Sequence, residues 1–232
     1  MRADEIEQMR DLRIFEGVEK QHVDAMLRAS FLQRFPIGVE LVREGDPADF
    51  LHVVVEGRVE IFSAYRDRET TVSVLGPGHC FITAAVVLDR IYLKSARSLS
   101  SARVLLIPAD AVRRGFAEDA AFARCLASDL AAAYRMVVKE LKNQKLRSGL
   151  ERLANWLVAH QVEHGGATRF ELPFEKKVLA ARLGMAPEVL SRSFAALVPY
   201  KVKVSGATID IRDPEALRNL AKPIPTIDDP DS

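Results

Sequence analysis

Three kinds of hydrophobic spacing follow one another along the chain. Over residues 4 to 30 apolar positions fall at helical intervals, with Ile14, Phe15, Val18, Val23, Met26 and Leu27 as the buried set. After "FPIGVE" the period shortens. The stretch "LVREGDPADFLHVVVEGRVEIFSAYRDRETTVSVLGPGHCF" consists of β-branched runs broken by Gly45-Asp46-Pro47, Glu56-Gly57, Arg66-Asp67 and Gly76-Pro77-Gly78, and "SARSLSSARVLLIP" adds another alternating run. Short strands punctuated by Gly and Pro predict an antiparallel sandwich or barrel over about residues 31 to 108. From Asp119 to Leu146 Gly and Pro vanish. Phe122, Leu126, Leu130, Ala133, Val137 and Leu141 then recur at steps of three and four, the narrow seam of a coiled coil. A helix of that length runs about 42 Å. Leu126, Leu130, Ala133, Val137 and Leu141 are its expected dimer seam.

The last third is built of smaller pieces. "LRSGLERLANWLVAHQVEHGG" reads as a helix ending at Gly165-Gly166, and "RFELPF" as a short extended segment. "EKKVLAARLGM" and "APEVLSRSFAAL" are two short helices around Gly184, and "KVKVSGATIDIRD" is a hairpin turning at Ser205-Gly206. The final segment "PIPTIDDPDS", residues 223 to 232, reads as disordered. The expected domains are a β-rich domain with N-terminal helices at 1–118, a long helix at 119–146 and a C-terminal domain of short helices and a hairpin at 147–222.

Composition narrows the class. The 232 residues are 48% apolar and 28% charged, ordinary for a soluble globular protein. No run approaches a membrane span, and the charged N-terminus "MRADEIEQMRDLRIF" lacks a secretory h-region. The expectation is a cytoplasmic protein with no membrane partner. Two cysteines, Cys80 and Cys125, are too few for a disulfide framework or an iron–sulfur cluster. The net charge of +1 conceals an uneven distribution: residues 139 to 223 carry 15 Lys/Arg against 9 Asp/Glu. A basic C-terminal third is what nucleic-acid binding needs.

Two helices joined through a glycine and followed by a hairpin describe a winged helix-turn-helix. In its second helix Glu188, Ser191 and Arg192 share one face, while Leu190, Phe194 and Leu197 lie on the opposite one. Arg192 can donate two parallel hydrogen bonds to guanine, Glu188 can accept from cytosine, and Ser191 can serve either base type. Pro187 suits the first helical position. Ala186 is a poor N-cap and leaves amides that a DNA phosphate can satisfy. Lys176, Lys177, Lys201 and Lys203 are the candidate phosphate contacts.

The order of parts resembles the CRP/FNR family of bacterial transcription regulators, over the whole chain to about residue 222. "GDPADFLHVVVEGRVEIF" resembles that family's β-roll, with Gly45 and Gly57 at turns, and "PEVLSRSFAAL" resembles the recognition helix of its FNR and nitric-oxide-responsive DNR branches. The resemblance implies an α+β fold: a cyclic-nucleotide-binding-like β-roll, a long dimerisation helix and a C-terminal winged helix-turn-helix. It also implies a homodimer on double-stranded DNA with TTGA-type half-sites, RNA polymerase as a partner, and no enzymatic activity. One departure is "VPYKVKVS" before Gly206, one residue short and with Pro199 in place of the usual acidic or glycine-rich turn.

Cyclic-nucleotide members of the family carry Phe-x-Gly-Glu-Leu and, ten residues past the glutamate, Arg-Ser-Ala. The matching run here is "CFITAAVVLDRIYLKSA". Thr83 stands for the glycine, Ala84 for the ribose-binding glutamate and Lys94 for the phosphate-binding arginine, while Ser95 and Ala96 persist. Without a carboxylate at 84 and without the guanidinium fork at 94, cyclic AMP is not the expected effector. Thr83, Ala84, Ala85, Val87, Lys94 and Ser95 line the expected pocket. Its apolar character suits an apolar small molecule or a haem, whose axial ligand would come from His22, His52, His79 or Cys80. Effector-free or redox-controlled action is the alternative within the family. A regulatory subunit of an enzyme or a protein-interaction module is the alternative outside it. No Gly-x-x-x-x-Gly-Lys, Gly-x-Ser-x-Gly or His-Glu-x-x-His motif supports catalysis.

Overall fold

A computed structural model describes residues 1–66 and 68–229. By compactness the chain divides into two units, Met1–Tyr134 and Arg135–Ser232, with the division inside one long helix.

The first unit opens with α1 (Ala3–Arg10), a 3-10 turn at Arg13–Phe15 and α2 (Lys20–Ala29). Strands β1 (Phe31–Phe35), β2 (Glu40–Val42), β3 (Phe50–Glu56), β4 (Val59–Tyr65), β5 (Arg68–Leu75) and β6 (Cys80–Phe81) follow. Then come α3 (Thr83–Leu88), β7 (Ser95–Ser98), β8 (Ala102–Pro108), α4 (Ala109–Glu118) and α5 (Ala120–Leu146). The strands form two antiparallel four-stranded sheets, ordered β1-β8-β3-β6 and β2-β7-β4-β5. Alternation sorts β4 in the expected way: Val59 and Ile61 enter the core, as do Leu51 and Val53 of β3 and Val104 of β8. Helices α2 and α4 supply Met26, Leu27 and Val112 to the same core. Gly57 turns β3 into β4 with φ +82°, and a Cβ there would collide with the Ser101 carbonyl, so only glycine fits.

Helix α5 begins where Asp119 accepts from the amides of Ala121 and Phe122 at 2.8 and 3.0 Å. Asp119 also takes a 2.7 Å contact from Nδ1 of His22. These donors, His22 foremost, hold its carboxyl down at about 2. Leu126 departs from the expected seam. It is fully buried in the first unit's own core with Phe122, so it has no surface to offer a partner. Further along, Leu130 is half-buried and Ala133, Val137 and Leu141 are exposed.

The second unit contains α6 (Gly149–Glu163), β9 (Arg169–Glu171), α7 (Lys176–Arg182) and α8 (Pro187–Ala196). A 3-10 turn at Val198–Tyr200 leads to β10 (Val202–Ser205), β11 (Thr208–Ile211), α9 (Pro214–Ala221) and α10 (Pro225–Asp228). Ser148 and Glu151 form a reciprocal capping box at the start of α6. The core joins Leu153 and Leu157 of α6, Leu179, Leu190, Phe194 and Leu217. Strands pair as β10-β11-β9, all antiparallel.

The tail differs from its expected disorder. Ile224–Asp229 is ordered, with Ile227 buried and Asp228 gripped by the Arg147 guanidinium, one of whose bonds measures 2.7 Å. Lys142 adds a 2.8 Å bond to the Thr226 hydroxyl. A Pro- and Asp-rich composition suggests no core, but a buried arginine 81 residues away in sequence needs this carboxylate. Residues 230–232 lie outside the described residues.

Candidate nucleic-acid interface and effector site

Helix α7 ends at Arg182 with Leu183 as its C-cap, and Gly184 makes the turn to α8 with φ +62°. Leu190, Phe194 and Leu197 are buried, which seats α8 on the second unit's core. Glu188, Ser191 and Arg192 are all exposed on its other side. Among the described residues no ion pair joins Glu188 to Arg192; Nε of Arg192 makes only a loose 3.4 Å bond to the Glu188 carbonyl. Both charged heads are therefore available to a partner. Ala186 provides no side-chain cap, and Pro187 occupies the first turn, so the amides at this end face outward without a protein acceptor from the cap.

The four candidate lysines all lie in the second unit, and of these Lys176 lines the groove beside α8. Lys176 and Lys177 open α7 and are exposed. Nζ of Lys176 lies 5.8 Å from the Phe194 ring centroid, which holds its stem beside α8. The hairpin β10–β11 closes with Ser205 opposite Thr208, so the turn is the pair Gly206-Ala207. Lys203 projects from β10 and Lys201 precedes it, both exposed. The run "VPYKVKVS" passes through the 3-10 turn containing Pro199, after which Lys201 adopts φ 60°. A groove of about 300 Å³ separates α8 from β10, with Lys176 and Ser191 among its lining.

In the first unit the cassette carries local strain. Ile82, a β-branched residue, sits at φ 66° just before α3. Thr83 is buried, and its hydroxyl donates 2.9 Å to the Asp129 carboxylate of α5. Burial pushes the Asp129 carboxyl up, and the Thr83 bond partly offsets it. Ala85 and Ser95 are buried, Val87 and Lys94 half-buried, and Ala84 exposed. Ser95 accepts from the Glu44 amide at 2.9 Å. Burial lowers the Lys94 ammonium from its ordinary value, and no carboxylate among the described residues pairs with it. Asp129 was not evident from the sequence, because its partner lies 46 residues away.

Of the four haem candidates, His52 and Cys80 do not fit an axial ligand, whereas His22 and His79 are held through Nδ1 alone among the described residues. His22 is engaged with Asp119. His52 is enclosed by aromatic rings, stacked on Phe81 at 4.9 Å with Phe50 and Tyr92 each at 6.5 Å. Burial drives its imidazole down to about 4, partly offset by the Phe50 backbone. His79 is exposed in a glycine turn, with Nδ1 held 3.1 Å from the Gly76 carbonyl. Burial pushes the Cys80 thiol upward, the wrong direction for a thiolate ligand. The core histidine fills space between rings; it does not present a lone pair to a cavity.

Together, a double-sheet β-roll, a long helix and a winged helix-turn-helix define the architecture of a helix-turn-helix DNA-binding regulator. Residues 32–119 match the cyclic nucleotide-binding domain family, and residues 151–220 match the Crp-like helix-turn-helix domain family. The chain is 24% identical over 215 residues to a CRP-like cAMP-activated global transcriptional regulator of Mycobacterium tuberculosis, covering 90% of this chain and 96% of that one. It is 25% identical over 217 residues to the cyclic AMP receptor protein of Thermus thermophilus, covering 92% and 98%. The structure of FixK2 from Bradyrhizobium japonicum shares the fold with a TM-score of 0.71 at 22% identity, covering 82% and 96%. The chain belongs to the CRP/FNR family of transcription regulators. Among the described residues no helix is long and apolar enough to cross a membrane.

Proposed function

We propose that the protein is a homodimeric, sequence-specific regulator that reads TTGA-type palindromes and responds to an effector other than cyclic AMP. The observation that carries the DNA reading is α8 itself: its apolar side is buried, and Glu188, Ser191 and Arg192 stand exposed without an ion pair between them. In this reading those three meet base edges, while Lys176, Lys177, Lys201, Lys203 and the uncapped amides of α8 meet phosphates. A mobility-shift titration on a TTGA palindrome and on a scrambled duplex, at stated salt, tests it. Preference for the palindrome by a factor of about 10³ or more is the expected outcome, and equal binding to both would refute the reading. Lys177→Ala should weaken both duplexes alike and reduce the slope of log affinity against log salt by about 2 per dimer, one phosphate per subunit.

Dimerisation is assigned to the exposed part of α5. Val137 and Leu141 are 55% and 53% exposed, with Leu130 and Ala133 preceding them at seam spacing and Tyr134 71% exposed alongside. An apolar stripe this wide on one helix calls for a partner helix. Paired Val137→Asp and Leu141→Asp substitutions should convert the dimer to a monomer in sedimentation velocity and lower palindrome affinity at least about 100-fold. A dimer that survives both places the interface elsewhere.

The effector reading rests on the cassette. Ala84 has no acceptor for a ribose hydroxyl, and the Thr83 hydroxyl is committed to Asp129. Lys94 remains as a half-buried cation with no carboxylate partner among the described residues. Replacement of the Thr83–Asp129 bond by ligand contacts is the two-state step expected to connect the cassette to α5. RNA polymerase is the partner expected of such a regulator.

A further inference from the structure

The C-terminal end of α6 carries chemistry that DNA reading does not use. Within "AHQVEHGG", His160, Glu163 and His164 stand at positions i, i+3 and i+4, which places them on one helical face. One ligand atom from each lies within 4.8 Å of the other two. We propose that these three side chains form a binding site for a divalent first-row transition ion of the Zn²⁺ type.

Four features support the assignment. The donor set is two imidazoles and a carboxylate, which suits a borderline ion and not Ca²⁺ or Mg²⁺. His160 is anchored: its ring stacks on Trp156 at 5.0 Å and packs against Phe170 of β9 at 4.6 Å. Nδ1 of His164 lies 2.8 Å from the His160 carbonyl, so that nitrogen donates and Nε2 carries the free lone pair, the arrangement that orients metal-binding histidines. The site also sits at the negative end of the α6 dipole, immediately before Gly165-Gly166, where a cation is favoured. Bonds of about 2.1 Å in a tetrahedral site bring donors to about 3.4 Å from one another. Rotation of the exposed Glu163 and His164 side chains about the fixed His160 closes that gap. Water completes the coordination, because the face is open.

The ion would act as a clamp, tying the last turn of α6 to the ring that packs on β9. Because the three donors converge only in the folded helix, binding should raise thermal stability of the whole chain. Protons compete for the same lone pairs, so affinity should fall as pH is lowered.

The test uses the tag-free full chain, stripped with chelator, titrated with Zn²⁺ by calorimetry and with Co²⁺ by visible absorption. One ion per chain, with d–d bands of a nitrogen and oxygen set and no thiolate charge-transfer band, is expected. His164→Ala should lower Zn²⁺ affinity about 100-fold or more and Glu163→Gln at least about tenfold, since losing even an outer-shell partner of a metal ligand costs about 10–100-fold. Both side chains are exposed, so circular dichroism and the thermal midpoint without metal should be unchanged. Zn²⁺ should raise that midpoint in the parent and not in His164→Ala. Failure of the parent to bind, or binding of equal strength in both variants, overturns the site. A thiolate band would place the ion at a cysteine instead, with the same consequence.

Discussion

Arg192→Ala should weaken binding to a two-half-site palindrome by about 2–6 kcal/mol, at about 1–3 kcal/mol for each guanine left unread, and should flatten selectivity at one base pair per half-site. The magnitude follows from geometry. The guanidinium is exposed, tied only by a 3.4 Å bond to the Glu188 carbonyl, and carried on a helix whose far side is locked by Leu190 and Phe194. Little conformational freedom of the backbone remains to be lost when it docks. Arg192→Lys separates charge from shape: the ammonium retains attraction to the duplex but cannot offer two parallel donors. It should recover much of the binding to scrambled DNA and little of the selectivity. Stability of either variant should stay within about 0.5 kcal/mol of the parent, since the side chain buries nothing. Quantitative mobility shifts on single-base variants of the half-site check the affinity and selectivity, and denaturant unfolding checks the stability. Equal loss on palindrome and scrambled DNA would reduce Arg192 to a phosphate contact.

The second large effect concerns acid. His52 is buried among Phe50, Phe81 and Tyr92, with its imidazole lowered to about 4. An unfolded chain holds a histidine near about 6.5. Between these two values the unfolded state binds the extra proton and the folded state does not, so stability rises with pH across the window. The contribution of a neutral His52 is complete above about pH 6.5 and declines as pH falls, by a total of about 3 kcal/mol at about pH 4. His52→Phe should remove that slope from denaturant unfolding of the full chain, followed from neutral pH down to the acid end of that window. Comparison with the parent isolates it from His22 and Asp119, whose pair is retained in both proteins. An unchanged slope in the variant would show that the imidazole takes up its proton inside the core.

Legibility differed sharply between the two ends of the chain. The recognition helix could be read from the residue order because all its information is local: Pro187, the i, i+3 and i+4 relation of Glu188, Ser191 and Arg192, and the apolar set opposite them lie within eleven residues. The β-roll was legible as a class from its strand periods and turn glycines. Its pairing was not, since β1 bonds to β8 across some seventy residues and no local signal encodes that choice. The seam shows the boundary well. Leu126 and Val137 obey one spacing rule, yet the first is buried in the protein's own core and the second stands exposed. Periodicity reports that a face is apolar and not what covers it.

The same reason explains the tail and the sensor. Asp228 reads as part of an acidic end in one dimension, but Arg147 is buried against it, and Thr83 reads as a pocket wall while its hydroxyl is bonded to Asp129. The "HQVEH" spacing, by contrast, stands in plain view at helical intervals, but its meaning depends on Trp156 and Phe170 holding the first ring still. What the amino-acid order determined by itself was the succession of β-roll, long helix and winged helix-turn-helix, and the shared face of Glu188, Ser191 and Arg192. Short-range periodicity and turn chemistry act between neighbours, so they survive in one dimension. The partners of buried polar groups such as Thr83 and Arg147, and which apolar positions of the long helix are covered by the chain itself, were decided only by tertiary structure, because desolvation penalises each group according to what distant segments bring to it.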